Sequence, residues 1–211
     1  MFTFVPIYKL NEDGEVVTAG TLFKNKIFIL FLLLMACAGA SEMVFSQWAS
    51  TFAEIGLGVN KTVGDIVGPC MFAILMGSTR ILYALFSKRL HLRRLMIISM
   101  IASCLTYIIA ALSQSPVTSL VACAFCGLTV GIMWPGIISI AASKIKNGGV
   151  SMFAFLALAG DFGCFAGPIL AGAVANSASG GLKTAFLVCS AFPAAATCLL
   201  FVLKNARLSR K

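Results

Sequence analysis

Residues 27–49 read IFILFLLLMACAGASEMVFSQWA, a run in which Glu42 is the only charged side chain. About 20 mostly apolar residues are enough for a helix to cross the hydrocarbon core of a bilayer, so this run predicts a transmembrane helix. It lacks the strict alternation of apolar and polar residues that the strands of a membrane β-barrel show. The run therefore favours an all-α membrane protein as the fold class.

The rest of the chain repeats this pattern. Of its 211 residues, 60% are hydrophobic and 11% are charged, whereas a soluble domain has about 25% charged residues. So little charge cannot coat a water-facing surface, which argues against a soluble globular enzyme. Apolar runs long enough to span a bilayer as helices occupy residues 27–49, 63–86, 95–112, 117–143, 150–175 and 184–203. We therefore predict a polytopic protein with six transmembrane helices in residues 26–203 and a basic tail at 204–211.

Basic residues are distributed unevenly between the two sides of the predicted bundle. If the N-terminus is cytoplasmic, the outer loops hold only Lys61 and Lys183 of the 16 Lys and Arg residues. Cytoplasmic loops are enriched in Lys and Arg, so we expect a multi-pass protein of the cell membrane with both termini in the cytoplasm. The same placement accounts for the net charge of +9 through anchoring in the lipid bilayer, without a nucleic-acid partner.

Cysteine and histidine do not predict catalytic or metal chemistry in this chain. All eight cysteines lie in apolar runs, and Cys123 and Cys126 form a CxxC pair without a second pair to complete a metal site. His91, the single histidine, lies in a basic inner loop. A rhomboid-like protease needs a serine and a histidine inside the membrane, and an aquaporin-like channel needs Asn-Pro-Ala repeats. The sequence has neither pattern, so we expect no enzyme activity, no cofactor and no metal.

Three charged residues lie inside the predicted spans, at Glu42, Arg80 and Asp161. A charge near the bilayer centre costs roughly 2.5–3.5 kcal/mol on insertion scales, so such residues usually face a cavity or a partner. Glu42 lies in the outer half of the first span, close to Gln47 and Trp48. A carboxylate near polar and aromatic groups suits a polar solute, which makes Glu42 and Gln47 candidate substrate or coupling residues. Exposure to water is the alternative for Glu42, and we expect Trp48 to be a membrane-interface anchor.

Asp161 lies near the middle of the fifth span, and Arg80 lies in the inner half of the second span. We hypothesise an ion pair between these two side chains, because pairing would lower the desolvation cost of both. The long Arg80 side chain could instead extend toward the inner loop that carries Lys88 and Arg89. A structural role and a transport role are both open for Asp161, which is a further candidate substrate or coupling residue.

The fourth span combines small residues with a proline. Gly127 and Gly131 are one helical turn apart, which predicts close packing of a neighbouring helix. Pro135 removes a backbone hydrogen bond and predicts a bend. Trp134 precedes that proline, and we expect it to form part of the wall of a substrate cavity. The third and sixth spans carry no charge in their apolar stretches, so we expect them on the lipid side of the bundle.

Two motifs and the six-span pattern resemble the C-terminal half of a major facilitator superfamily transporter. Gly77-Ser-Thr-Arg80, running into Lys88 and Arg89, resembles a degenerate copy of the inner-loop motif of that family, without its usual Asp. The resemblance implies a gating or ion-pair role for these three basic residues. The stretch Gly163-Cys-Phe-Ala-Gly167-Pro168 resembles the glycine-proline motif of the fifth span of a half, where it would pack helices.

This resemblance implies a transporter built from two halves. Residues 1–25 resemble the end of a preceding span and the central cytoplasmic loop, and the missing partner would be an N-terminal six-span half. Full members hold a solute between their halves near the midplane and work by alternating access. Residues 131–136 and 155–161 look closest to sugar-permease-like members such as the fucose permease group. The resemblance thus implies symport of a small polar solute, with a sugar as the expected class.

Two other interpretations remain open at the level of the sequence. A six-span chain can act as a homodimeric transporter, in which a second copy takes the place of the other half. It can also be a membrane scaffold that transports nothing. Crosslinking in the membrane separates the first interpretation from a chain that needs a different half.

Overall fold

The computed structural model describes residues 19–56, 58, 60–86, 90–145, 148–177 and 181–205. The helices are α1 (Ala19–Lys24), α2 (Lys26–Thr51), α3 (Lys61–Asp65), α4 (Met71–Phe86), α5 (Leu92–Leu112), α6 (Pro116–Val130), α7 (Met133–Lys144), α8 (Gly149–Ser177), α9 (Gly181–Cys189) and α10 (Ala191–Asn205). Two wider π-helical turns, Phe52–Gly56 and Ile66–Cys70, extend α2 and precede α4. The described residues contain no strand, so the predicted all-α fold class is confirmed.

Among the described residues, six helical segments are long and apolar enough to cross a membrane. They are the first span Lys26–Ile55, the second Lys61–Phe86, the third Leu92–Leu112, the fourth Val117–Lys144, the fifth Gly149–Ser177 and the sixth Gly181–Leu203. The number of spans predicted from the apolar runs is thus confirmed. The number of spans follows from the length of the apolar runs alone, so it is the property that the sequence predicts best.

The fourth and sixth spans are each interrupted once. The fourth consists of α6 and α7, which are separated by a turn at Gly131 and Ile132, with Pro135 two residues into α7. The sixth consists of α9 and α10, which are separated by a turn at Ser190, with Pro193 in the same relative position. Proline is tolerated in the first turn of a helix, where its missing N–H would have no partner in that helix.

Side chains cap several helix ends. The Asn25 side chain accepts a hydrogen bond from the Ile27 backbone N–H at 3.0 Å and so begins α2. Lys183 Nζ donates to the carbonyl oxygen of Ser113, the C-cap residue of α5, at 3.1 Å. A cation at a helix C-terminus is favourable because it satisfies exposed carbonyls and opposes the helix dipole. One of the two lysines that depart from the predicted charge asymmetry thus joins the sixth span to the third.

The tightest helix contact is between α2 and α8. A Cβ atom on Gly163 would overlap the carbonyl oxygen of Ala36, and one on Gly167 would lie 2.9 Å from Ala40 Cα. No residue other than glycine fits these positions without moving a backbone, because the opposing atoms belong to the other helix itself. Pro168 is buried in the same stretch of α8. The first and fifth spans are therefore packed backbone to backbone.

A second close contact joins α4 to α6. A Cβ on Gly127 would overlap the Phe72 carbonyl oxygen, and one on Gly131 would lie 2.7 Å from the Met76 carbonyl oxygen. The Thr79 hydroxyl also donates to the Leu128 carbonyl oxygen at 2.7 Å. Small residues allow the backbones to approach, and the hydroxyl then adds a hydrogen bond between the spans.

The faces left exposed by this packing belong to the second and fifth spans. Only 6% of the most apolar stretch of the second span and 28% of that of the fifth are buried within the chain, against 50% for the third. The third span packs between the fourth and the sixth. We expected the charge-free third and sixth spans on the lipid side of the bundle, and 33% of the most apolar stretch of the sixth is buried within the chain. Burial within the chain does not show which faces meet lipid, so this expectation stays a prediction.

Candidate functional site

Glu42 of α2 and Trp134 of α7 meet inside the bundle. Glu42 Oε2 and Trp134 Nε1 are both buried, and they are the two buried side-chain polar atoms that lack a hydrogen-bond partner within the described part of the chain. The indole N–H lies near the Glu42 carboxylate, but it does not complete a hydrogen bond of normal geometry with it. A buried acceptor or donor without a partner costs about 1–3 kcal/mol. This pair is therefore the strongest site candidate in the molecule.

The backbone of the fourth span positions Trp134. The turn at Gly131 and Ile132 places the indole at the start of α7, where the ring lies against α8. A Cβ atom on Gly160 of α8 would be 2.5 Å from Trp134 Cη2. The absence of a side chain at Gly160 thus makes room for the ring. The predicted cavity-wall residue has its indole directed to the interior, between the fourth and fifth spans.

A tyrosine of the third span supports the backbone beside Glu42. The Tyr107 hydroxyl donates to the carbonyl oxygen of Ser41 at 2.8 Å, and the Tyr107 side chain is fully buried. The Ser41 hydroxyl donates to the Cys37 carbonyl oxygen at 2.7 Å within the same helix. Phe45 packs on the Tyr107 ring, with 4.1 Å between the ring centroids. These contacts fix the turn of α2 that carries Glu42.

Arg80 of α4 approaches the same region from the second span. Its Nε donates to the Gly131 carbonyl oxygen at 3.1 Å, and its positive charge acts on the Glu42 carboxylate. The structure does not form the hypothesised ion pair between Arg80 and Asp161, both of which it describes; the Arg80 Nε hydrogen bond goes to the backbone of the fourth span instead. That pair stays a hypothesis for another conformation.

The other sequence-selected residues lie at different distances from this pair. Asp161 is exposed on α8, and its charge acts on Cys164, as does the charge of Glu42. Gln47 is exposed one and a half turns along α2 from Glu42. Lys88 and Arg89 lie outside the described residues. So do residues 1–18 of the predicted N-terminal segment 1–25 and residues 206–211 of the predicted tail. The structure thus brings together Glu42, Trp134 and Arg80.

Trp48 forms a contact between two spans that the sequence analysis did not predict. Its Nε1 donates to the Pro168 carbonyl oxygen of α8 at 3.1 Å, and its ring lies 3.0 Å from the Cβ position of Gly172. The membrane-interface position of Trp48 stays a prediction, and the indole also joins the first span to the fifth. The two tryptophans therefore differ, since Trp48 Nε1 has a partner and Trp134 Nε1 has none in the described residues.

Comparison with protein families decides the membership of the chain. The family model of the Major Facilitator Superfamily matches residues 6–151 and 66–211. The chain belongs to the major facilitator superfamily. Members of this superfamily are transporters and not enzymes, and the six apolar helices fit a multi-pass membrane protein of that type. No curated protein matches the chain.

The chemistry available to this major facilitator chain follows from its unpaired atoms. Glu42 Oε2 can accept a hydrogen bond and Trp134 Nε1 can donate one, so a group that does both can join them. A hydroxyl of a solute or a water molecule meets this requirement. Within the described residues no cluster of three or more His, Cys, Asp or Glu side chains is arranged to hold a metal ion. The arrangement is suited to polar recognition in an apolar surrounding.

Sequence reasoning missed two groups at this site. Tyr107 was not selected, although a tyrosine in an otherwise apolar span usually directs its hydroxyl to a partner. Thr79 was quoted only as part of the Gly77–Arg80 motif, yet its hydroxyl joins the second and fourth spans in this major facilitator chain. The rarity of polar groups in the spans was the signal available for both.

Proposed function

We propose that this chain is the C-terminal six-helix half of a secondary transporter that moves a small polar solute by alternating access. The single observation that carries the proposal is the pair of buried and unpartnered polar atoms, Glu42 Oε2 and Trp134 Nε1, inside a bundle of the major facilitator superfamily. A transporter benefits from such atoms because the bound solute supplies the missing partners. A purely structural pair would be expected to form its hydrogen bond.

A neutral, hydroxyl-rich solute fits this pair best, and we propose a sugar. Each hydroxyl donates and accepts, so one hydroxyl can serve Glu42 and Trp134 together. Arg80 already offers a counter-charge to Glu42, which leaves no need for a cationic solute. Aromatic faces also pack on the apolar faces of sugar rings. We also propose symport, which rests on the resemblance of residues 131–136 and 155–161 to sugar-permease-like members such as the fucose permease group.

The partner half is proposed to cover the exposed faces of the second and fifth spans. Arg80 and Asp161 are both exposed on these two spans. Charged side chains that face lipid are costly, so a face that carries them is better matched by protein or by a water-filled cavity. In a complete transporter this face would lie between the two halves, where it would contact both protein and a water-filled cavity. A second copy of this chain could cover the same faces, which makes a homodimeric transporter the alternative.

Orientation follows from the basic residues. We propose that the basic loop around His91 and the C-terminal tail face the cytoplasm of a cell membrane, as the bias in Lys and Arg favours. A reporter protein that is active only in the cytoplasm, fused after Lys211, tests this assignment. Activity of the reporter supports it. A reporter that is active only outside the cell would overturn it.

Uptake measurements test the transport function. The chain is expressed in cells with an N-terminal six-span half encoded beside it, or alone if crosslinking gives a homodimer, and uptake of labelled neutral hexoses and deoxyhexoses is measured. We expect Glu42→Gln to lower uptake at least tenfold, because the charged acceptor is lost. Glu54→Gln is the matched control, since Glu54 is an exposed carboxylate at the outer end of the first span. Equal uptake by both variants would remove Glu42 from the mechanism.

A further inference from the structure

The fourth span lacks helical hydrogen bonds at its interruption, where neither residue 132 nor residue 135 donates to the carbonyl group four residues earlier. The Gly131 N–H donates to Gly127 O at 3.1 Å before the break, and the Gly136 N–H donates to Ile132 O at 2.9 Å after it. Between these two bonds, residue 135 would donate to Gly131 O, but Pro135 has no N–H. Gly131 and Ile132 keep right-handed helical backbone angles. The break therefore leaves Leu128 O and Gly131 O without their helical donors, and at Gly131 O the cause is the proline.

A side chain from another span fills this position. Arg80 Nε donates to Gly131 O at 3.1 Å. Its neighbour Thr79 donates to Leu128 O at 2.7 Å, one turn earlier on the same span. Both donors come from α4, which lies against the glycine face of α6. The end of α6 is thus held by the second span through hydrogen bonds to its carbonyl groups.

This arrangement affects the position of Trp134. It directly precedes Pro135, so the direction of its indole depends on how the chain leaves the break. Its ring fits over Gly160, and its N–H lies near the Glu42 carboxylate. A small rotation of α7 about the break would carry the indole away from Glu42.

We infer that Arg80 is a positioning residue, which replaces the hydrogen-bond donor missing at Pro135 and thereby keeps the Trp134 indole beside Glu42. Its role is distinct from that of a gating charge in the inner loop, because the group that matters is the Nε–H donor to Gly131 O. The inference concerns the position of the Trp134 indole and does not need the proposed function. Only one consequence rests on that function, namely that replacing Arg80 would weaken solute binding.

Fluorescence of Trp134 tests the inference without any solute. The chain has two tryptophans, so Trp48→Phe leaves Trp134 as the only one. In this background we expect Glu42→Gln to shift the Trp134 emission, because the carboxylate lies beside the indole. Adding Arg80→Gln should abolish this response to Glu42→Gln. The matched control is Arg94→Gln, at an exposed arginine near the start of α5, which should leave the response unchanged.

A rescue variant distinguishes positioning from charge. Pro135→Ala supplies a backbone N–H directed at Gly131 O, so Arg80→Gln combined with Pro135→Ala should regain the Glu42→Gln response, although the charge of Arg80 is still missing. Pro135 is exposed, so its replacement leaves no cavity. Regain of the response also shows that the variant is folded. If Arg80→Gln leaves the response intact, or if Pro135→Ala fails to restore it, the inference is wrong. If these fluorescence responses are as expected but no sugar uptake is measured, only the proposed function is wrong.

Discussion

Arg80 Nε donates a hydrogen bond to the Gly131 carbonyl oxygen, 3.1 Å away, where Pro135 provides no backbone donor. In a membrane, irregular backbone is tolerated where another group satisfies the freed polar atoms. Here that group is a charged side chain of the second span. Arg80 thus has a structural role as a hydrogen-bond donor to the backbone, which the cost of placing its charge in a membrane did not predict.

Glu42→Gln is expected to raise stability while it lowers uptake. Glu42 Oε2 is buried without a partner, and a neutral amide of the same shape removes the cost of a buried charge. A gain of about 1 kcal/mol corresponds to a rise in Tm of roughly 2–4 °C for a chain of this size. Thermal unfolding in detergent measures it, with Glu54→Gln as the neutral control. A marked fall in Tm would show that the carboxylate is held by favourable contacts.

Gly163→Ala is expected to separate the first and fifth spans. Its Cβ would overlap the Ala36 carbonyl oxygen, which is backbone and cannot rotate away. Overpacking of this kind costs about 1–3 kcal/mol. Unfolding in detergent should therefore begin at a lower temperature than in the unsubstituted chain.

Gly77→Ala provides the comparison, because nothing lies within 4 Å of a Cβ at Gly77. Alanine also favours helix over glycine by about 1 kcal/mol, so this variant should be at least as stable as the original. If both alanine variants unfold alike, the backbone contact at Gly163 does not limit stability.

Tyr107→Phe is expected to cost about 1 kcal/mol, at the low end for a buried hydrogen bond. The Tyr107 hydroxyl donates to Ser41 O at 2.8 Å, but that oxygen also lies inside α2 and can accept the helical N–H of Phe45. No polar atom is therefore orphaned. The variant should unfold slightly earlier and also show a changed Trp134 emission, because Ser41 adjoins Glu42. Tyr83→Phe, at a half-buried tyrosine of the second span, is the control.

Lys183→Met is expected to loosen the C-terminal end of the third span. Lys183 Nζ donates to Ser113 O at 3.1 Å, and a cation at a helix C-terminus contributes about 0.3–1 kcal/mol. Hydrogen exchange of the backbone near Leu112 should be faster in the variant. Lys61→Met removes a lysine at the start of α3 and should leave that exchange rate unchanged.

Apolar length predicted the six spans because crossing a bilayer imposes one requirement on every span. The contacts that build the site could not be predicted in this way. The donor for Gly131 O is Arg80, 51 residues earlier, and the partner of Tyr107 is 66 residues away. Such pairs depend on which helices become neighbours, and one sequence contains no direct record of that. The same limit explains why the hydrogen bond from Trp48 Nε1 to Pro168 O was not predicted.

The backbone contact between α2 and α8 decides which parts of the bundle are able to move. Gly163 and Gly167 leave no space between the first and fifth spans, and the Trp48 indole joins them as well. We therefore expect these two helices to move together as one unit. The interruption of the fourth span at Gly131 is a natural hinge, because hydrogen bonds from Thr79 and Arg80 of another helix replace the helical donors that are missing there.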